Sequence, residues 1–501
     1  MTHAVSVSGT TLSLYGESLP LAVDQYQLTM GQGYWQSGMV EHETVFTYGF
    51  REHPFGGGYA ISAGLAYVAY FVEYMREYGF SSDNIQFLQR LTGNDGKPLF
   101  RREYLDFLRH QSWEVQVDAV PEGTVVFPRE PTVRVQGPII PCQMIESFLL
   151  TEMNFQTLIA TKAARICTAT QGEPVSEQGM RRAHGLDGAL TVSRAAYIGG
   201  SANTSNLQAG YLLGIPTAGT MAHSFVMAFA SEVEAFKAYA ETLPNNCVFL
   251  VDTYHTLEGV QKAAEVGKWL ADRGHRLTGI RLDSGDLAWL SQEARQILDS
   301  HGLTEVKIFA ANDLDEQIIT DMKNQEAAVS VWGVGTKLAT GGSQSALGGV
   351  YKLGAIRRKG EAWRRTVKVS EQGWKTSIPG FLQVRRYWGQ EGYILADAIY
   401  DEELGIVDGT TIVAPMDPDR RFQLPLGTHS EDLLVPVCRD GVFIGDNPDL
   451  ATIRNRTMSQ LEALDPTTKR LLNPHEYKVG LEYQLYKLRR DMIREQRGSI
   501  P

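Results

Sequence analysis

Nowhere in the 501-residue chain do about 18 apolar residues run uninterrupted, the length a membrane span requires. No membrane partner is expected on that ground. The first twenty residues lack a basic segment followed by an apolar core, so they do not read as a secretory leader. Cysteine is scarce: Cys142, Cys167, Cys247 and Cys438 lie far apart, and no CxxC pair occurs. A disulfide framework and a zinc site are both unexpected, and four reduced thiols in a cytoplasmic protein fit better. Basic charge is short as well, with 47 Lys and Arg against 58 Asp and Glu and a net charge of −11. That argues against nucleic acid as a partner but not against small anions, because a local pocket can be basic in an acidic protein. No GxxxxGK[ST] loop and no tandem repeat is found.

The length is too great for one ordinary core. Residues 1–20 read as a polar lead-in. Residues 21–140 mix helices and strands, with an apolar helix over 61–78 and strands over 113–135. Residues 144–167 read as a long, mostly buried helix or helix pair. From about residue 175 strands and helices alternate. Strands are expected at 247–251, 277–282, 306–310 and 328–332, and helices at 225–243, 257–273, 287–300 and 316–323. Strand starts about 20–30 residues apart are the spacing of βα units. The chain therefore reads as α/β in three segments. Residues 1–140 form the N-terminal part of an α+β domain, and 141–350 form a β/α barrel carrying the active site. Residues 351–501 return to the α+β domain, pack on the barrel and end in a basic helix over 476–496. An open doubly wound sheet is the alternative. The barrel is preferred because polar clusters follow four successive strands rather than one switch point.

Those clusters are Val251-Asp252-Thr253, Arg281-Leu282-Asp283-Ser284-Gly285-Asp286, Ala311-Asn312-Asp313 and Gly333-Val334-Gly335-Thr336-Lys337. Residues i and i+2 at a strand end face the same side, so Arg281 and Asp283 can share a pocket. An arginine fork suits a phosphate or carboxylate, and nearby aspartates suit ribose hydroxyls or Mg²⁺. Asp286 reads as the cap of the next helix. Gly333, Gly335 and Thr336 resemble a backbone cradle for phosphate. Arg181-Arg182 is either a solvated face or a phosphate clamp, and Gly179 allows a close turn before it. Gly56-Gly57-Gly58 is either a tight turn or a ligand contact. His223 follows Gly219-Thr220 ahead of a helical run. It is either structural or reactive, and a reactive histidine needs a partner on its second nitrogen. Glu232 and Glu234 lie downstream, but the sequence does not identify that partner.

Taken in order, the motifs resemble the nicotinate phosphoribosyltransferase family. They run from Asp24-Gln25-Tyr26-Gln27-Leu28-Thr29-Met30 and Pro54-Phe55-Gly56-Gly57-Gly58 through Gly179-Met180-Arg181-Arg182 and Thr204-Ser205-Asn206. They continue through the His223 segment to Leu347-Gly348-Gly349-Val350-Tyr351-Lys352. The resemblance implies an irregular barrel of the type II phosphoribosyltransferase kind. It implies transfer of a phosphoribosyl group from phosphoribosyl pyrophosphate to nicotinate, driven by ATP through a phosphohistidine and assisted by Mg²⁺. By resemblance His223 is the phosphoryl acceptor, with Arg281 and Asp283 in the catalytic centre. Arg181, Thr204, Ser205, Asp252, Gly333, Gly335 and Thr336 bind substrate. Tyr26 stacks on the pyridine ring from the other subunit of a homodimer. Which residues hold the metal is not implied. Two positions depart from the family pattern: Gln178 stands where Phe usually faces the ring, and His255 stands where Asp usually follows Val-Asp-Thr-Tyr. Ser205 stands about where nicotinamide-using relatives carry Asp, which favours nicotinate. The alternatives are a nicotinamide-using enzyme and a non-catalytic paralogue that binds phosphoribosyl ligands.

Overall fold

The computed structural model describes residues 9–372 and 375–498. The chain divides into two compact units. One comprises Met1–Leu158 with Ala346–Pro501, the other Ile159–Ser345.

The second unit is built on one six-stranded parallel sheet. Its strands follow the order Asn203–Thr204, Val175–Glu177, Val331–Val334, Lys307–Ala311, Gly279–Leu282 and Val248–Leu250. Most of their residues are buried, which is why these strands read in the sequence as short apolar runs rather than as alternating patterns. Helices Thr256–Ala271, Leu287–Ser300, Glu316–Asn324 and Thr336–Ala339 follow four of the strands in turn. This is the expected irregular β/α architecture, with its polar clusters at the carboxyl ends of the strands. A buried triad ties the helix Glu316–Asn324 inward: Glu316 accepts from Lys162 at 2.6 Å and from Arg165 at 3.0 Å. Burial alone would raise the Glu316 pKa, but the two cations hold it below the usual carboxylate value.

Two expected helices are different in the structure. The run 225–243 is two helices, His223–Met227 and Glu232–Thr242. Ser231 interrupts it, because its hydroxyl caps the second helix by accepting from the backbone N–H of Glu234 at 3.3 Å. The run 476–496 begins as a strand, Lys478–Glu482, which pairs in parallel with Ile394–Asp401, and only then becomes the helix Tyr483–Gln496. Glu482 caps that helix, so a charge that reads as part of a helical face marks its boundary instead.

The first unit joins both ends of the chain. His42–Phe50 pairs antiparallel with Gly349–Arg358, from Phe50 opposite Gly349 to His42 opposite Arg358, inside a seven-stranded sheet. A separate six-stranded sheet is made from strands of residues 382–482. The helix Leu65–Glu77 presents Phe71 to Phe148, ring centroids 4.2 Å apart, in the largest apolar cluster of this unit. Of the expected polar lead-in, residues 1–8 lie outside the described residues. Leu12–Leu21 forms 3₁₀ turns with Leu12 and Leu19 buried in that same cluster. The helix Ile139–Ala169 spans the boundary between the units and carries Glu146, Glu152, Lys162 and Arg165. Among the described residues no helix is long and apolar enough to cross a membrane.

Candidate active site

The loops after the parallel strands bring the sequence-predicted residues of the second unit together. Asp252 follows Val248–Leu250, and its Oδ2 accepts from the backbone N–H of Asp283 at 2.9 Å and from the hydroxyl of Ser284 at 2.6 Å. One carboxylate thus fixes the shape of the next strand's loop. Its Oδ1 is buried and has no hydrogen-bond partner among the described residues. Arg281 and Asp283 share a pocket as their i, i+2 spacing predicts: Nη2 of Arg281 donates to Oδ1 of Asp283 at 2.9 Å, and Nη1 donates to the hydroxyl of Thr220 at 3.1 Å. Asp286 caps the helix Leu287–Ser300 by accepting from the N–H of Trp289, as its position implies.

His223 opens its short helix with one ring nitrogen hydrogen-bonded and the other facing a carboxylate. Nδ1 is 3.1 Å from the hydroxyl of Thr253, and Nε2 is 3.8 Å from Oδ2 of Asp283. The partner that the sequence left open is therefore Asp283, sixty residues on. Glu232 is taken by Lys262 at 2.7 Å. Thr253, His223, Asp283, Arg281 and Thr220 form one connected polar chain. Its middle members stay open to a ligand: the side chain of His223 is 42% exposed and that of Asp283 26%.

Beside this chain lies a cavity of about 180 Å³. Arg281 and Asp283 form one wall, Gln178, Arg181 and Arg182 a second, and Ala311, Asn312 and Asp313 a third; Gly333, Gly335 and Thr336 complete it. Asn312 and Asp313 hold positive φ values of 120° and 40°. Such backbone costs on the order of 1–3 kcal/mol per residue and concentrates at functional sites. Close approach requires a glycine at position 179 and crowds position 333. A Cβ on Gly179 would come within 2.5 Å of the Ala339 side chain, and one on Gly333 within 3.0 Å of the Gln178 carboxamide. Arg181 and Arg182 are exposed in the 3₁₀ turn Met180–Arg182, and neither has an acidic partner among the described residues.

A second layer holds that turn in place, and sequence reasoning missed it. The carboxylate of Glu177 is buried; it accepts from the backbone N–H of Gly179, from Thr204 Oγ1 at 2.5 Å and from Ser193 Oγ at 3.0 Å. Thr204 itself is buried in this network, and Ser205 donates its N–H to the Glu177 carbonyl; neither lines the cavity. The one advance signal was the alternation of acid and glycine in Glu177-Gln178-Gly179. His255 is exposed at the start of the helix Thr256–Ala271.

Tyr26 is in the first unit, 45% exposed near the start of the helix Gln25–Gln36. Its hydroxyl lies beside Glu146, whose pKa is raised by burial and opposed by the charge of Lys352. Lys352 in turn lines a cavity of about 90 Å³ with Arg51, Arg129, Lys375 and Arg489. Burial lowers the pKa values of Lys352 and Arg129, and the charge of Arg51 lowers both further. The excess of basic residues after position 350 hinted at this cluster. Arg51 and Arg129 come from the other end of the chain and gave no such hint. Among the described residues no group of three or more His, Cys, Asp or Glu side chains is arranged to hold a metal ion.

The comparisons with known proteins agree with one another. Residues 21–154 match the nicotinate phosphoribosyltransferase (NAPRTase) N-terminal domain, and residues 382–489 match the nicotinate phosphoribosyltransferase C-terminal domain. The chain is 39% identical over 490 residues to a nicotinate phosphoribosyltransferase of Bacillus subtilis (strain 168), covering 97% of each chain. It is 32% identical over 525 residues to that of Homo sapiens, covering 94% of this chain and 96% of that one. The crystal structure of human nicotinic acid phosphoribosyltransferase superposes with a TM-score of 0.78 at 30% identity, covering 94% of this chain and 99% of the human one. A nicotinate-nucleotide pyrophosphorylase from Pyrococcus furiosus shares the fold, with a TM-score of 0.66 at 21% identity and coverage of 89% and 97%.

Proposed function

The chain belongs to the nicotinate phosphoribosyltransferase family, and from that premise we propose that it transfers a phosphoribosyl group from phosphoribosyl pyrophosphate to nicotinate. The products are nicotinate mononucleotide and pyrophosphate, a step of NAD salvage in the cytoplasm. The observation that carries the proposal is the pair Arg281 and Asp283, with His223 beside Asp283, on a cavity whose Arg181 and Arg182 have no acidic partner among the described residues.

In this reaction the pyridine nitrogen forms a bond to ribose C1 as the bond from C1 to the pyrophosphate oxygen breaks. Positive charge develops on the sugar, and negative charge develops on the leaving group. Arg181 and Arg182, with no acidic partner among the described residues, can hold the anionic groups, and the backbone at Gly335 and Thr336 lines the cavity as a cradle for the 5′-phosphate, while the Gln178 carboxamide stands over Gly333. Asp283 and Asp313 face the same cavity and suit ribose hydroxyls. Mg²⁺ keeps several waters and binds through substrate phosphates with one or two carboxylates. Asp283, backed by the orphaned Oδ1 of Asp252, meets that modest demand. Held there, Mg²⁺ would supply positive charge to offset the negative charge of the pyrophosphate.

His223 takes the γ-phosphoryl group of ATP on its ring, releasing ADP, and water later cleaves the phosphohistidine to phosphate. Asp283 stabilises the positive charge that the imidazole gains as it attacks. Ser205, held behind the cavity by the Glu177 carbonyl, adds no negative charge to the site. The working unit is a homodimer in which Tyr26 of one subunit stacks on the pyridine bound by the other. The clustering of Tyr26, Glu146 and Lys352 with the cations of the first unit supports this, because it offers a ring face and positive charge on one surface.

Incubation with γ-labelled ATP is expected to give acid-labile, alkali-stable labelling of the protein, and His223→Ala is expected to abolish it. Persistence of the label in His223→Ala would remove the phosphohistidine from the proposal.

A further inference from the structure

Gln178 presents a carboxamide to the cavity that no protein group among the described residues engages. Its backbone is fixed, the N–H donating to the Val334 carbonyl at 2.8 Å, while the following N–H of Gly179 is held by the Glu177 carboxylate. The side chain leaves this rigid base and lines the cavity. The Cδ, Oε1 and Nε2 atoms all stand 3.0 Å from the position a Gly333 Cβ would occupy, so the carboxamide lies flat against the backbone at Gly333. Among the described residues it makes no side-chain hydrogen bond, although it offers two N–H donors and an acceptor. Behind it Glu177 is held by Gly179, Ser193 and Thr204, and across the cavity Arg281 is held by Asp283 and Thr220. A cavity-facing amide on a rigid wall, next to Arg181 and Arg182, can donate to a planar group with exposed oxygens.

We propose that Gln178 is a specificity-determining residue whose Nε2–H donates to the carboxylate of the pyridine substrate. This rests on the function proposed above. During transfer the ring nitrogen is directed at ribose C1, so the substituent at ring position 3 points away from the sugar and toward the wall of the cavity. Gln178 holds that substituent in the plane of the ring. Arg181 and Arg182 supply the charge that favours an acid over an amide. The carboxamide is itself indifferent to that choice, since its oxygen can accept from an amide as readily as its N–H donates to an acid. Discrimination is therefore adjustable at this one position. A glutamate there would repel nicotinate and accept from nicotinamide.

The test measures kcat and KM for nicotinate, nicotinamide and phosphoribosyl pyrophosphate in the wild type, Gln178→Leu and Gln178→Glu, with melting temperatures alongside. Gln178→Leu is expected to raise the KM for nicotinate about tenfold, the loss of one hydrogen bond to a charged group, with the KM for phosphoribosyl pyrophosphate within about twofold of wild type. Gln178→Glu, nearly the same shape, is expected to raise the nicotinamide-to-nicotinate ratio of kcat/KM by about tenfold or more. A merely structural role would shift both substrates' KM values and the melting temperature together. An unchanged nicotinate KM in Gln178→Leu overturns the inference. If that variant melts early, an unchanged substrate ratio in Gln178→Glu overturns it instead. A wild type that uses no nicotinate overturns the proposed function as well, and the two failures are thus told apart.

Discussion

At the scale of single residues, the site depends on Asp283 serving two neighbours. One oxygen accepts from Arg281 at 2.9 Å and the other faces His223 at 3.8 Å, while the backbone N–H is held by Asp252. Asp283→Asn keeps the size and removes the charge. The amide can still accept from Arg281, but it no longer offsets the charge that His223 gains. Labelling by γ-labelled ATP is expected to slow by about tenfold or more, the range found when a positioned electrostatic partner is lost. Single-turnover labelling rates read this directly, and an unchanged rate would separate Asp283 from the histidine. Such pairings were legible only in part. Arg281 and Asp283 lie two residues apart on one strand, so their meeting follows from strand geometry. His223 and Asp283 are sixty residues apart, and no local pattern carries that distance.

At the scale of elements, the helices are set tightly against the strand ends. Gly259, in the helix Thr256–Ala271, faces the carbonyl of Val251, where a Cβ would stand only 2.0 Å from the oxygen. Elsewhere in a helix Gly→Ala gains up to about 1 kcal/mol. Here the clash is with backbone that cannot rotate away, so Gly259→Ala is expected to lower the melting temperature. It should also weaken turnover, because Val251 leads directly into Asp252 and Thr253. Thermal unfolding and turnover of this one variant check both effects, and a raised melting temperature would contradict the account. The same packing explains which elements could be read in advance. Buried parallel strands flanked by amphipathic helices announce themselves as apolar runs at regular spacing, and the helix Leu287–Ser300 matches its expected ends. Where a polar cap sits inside a run of helix formers, as at Ser231 and Glu482, the composition hides the boundary.

At the scale of the whole molecule, acid sensitivity should come from the first unit. His53 is half-buried against Phe127, ring centroids 6.3 Å apart, and its buried Nδ1 has no hydrogen-bond partner among the described residues. Burial pushes its pKa down from 6.5 to about 4, against a smaller opposing pull from Glu476. The unfolded chain therefore binds this proton below about pH 6.5 while the folded chain does not until about pH 4. Stability present above pH 6.5 is lost as the pH falls through that window, by up to about 3 kcal/mol. His53→Gln is expected to flatten the wild-type slope between pH 6.5 and 4 in urea unfolding of the first unit. Equal slopes would contradict it. The general architecture of both units was legible, because alternation and strand-end chemistry are local properties. The joining of residues 42–50 to 349–358 in one sheet, and the meeting of Arg51 with Lys352 in one cavity, depend on contacts about 300 positions apart and have no local sign.

The central claim is the identity of the accepting base. The most direct measurement is the formation of nicotinate mononucleotide from nicotinate, phosphoribosyl pyrophosphate, Mg²⁺ and ATP, beside the same assay with nicotinamide. Turnover of nicotinate, stimulated by ATP, is expected, with nicotinamide used far less well. Equal or better use of nicotinamide, or no turnover of either base, would contradict it.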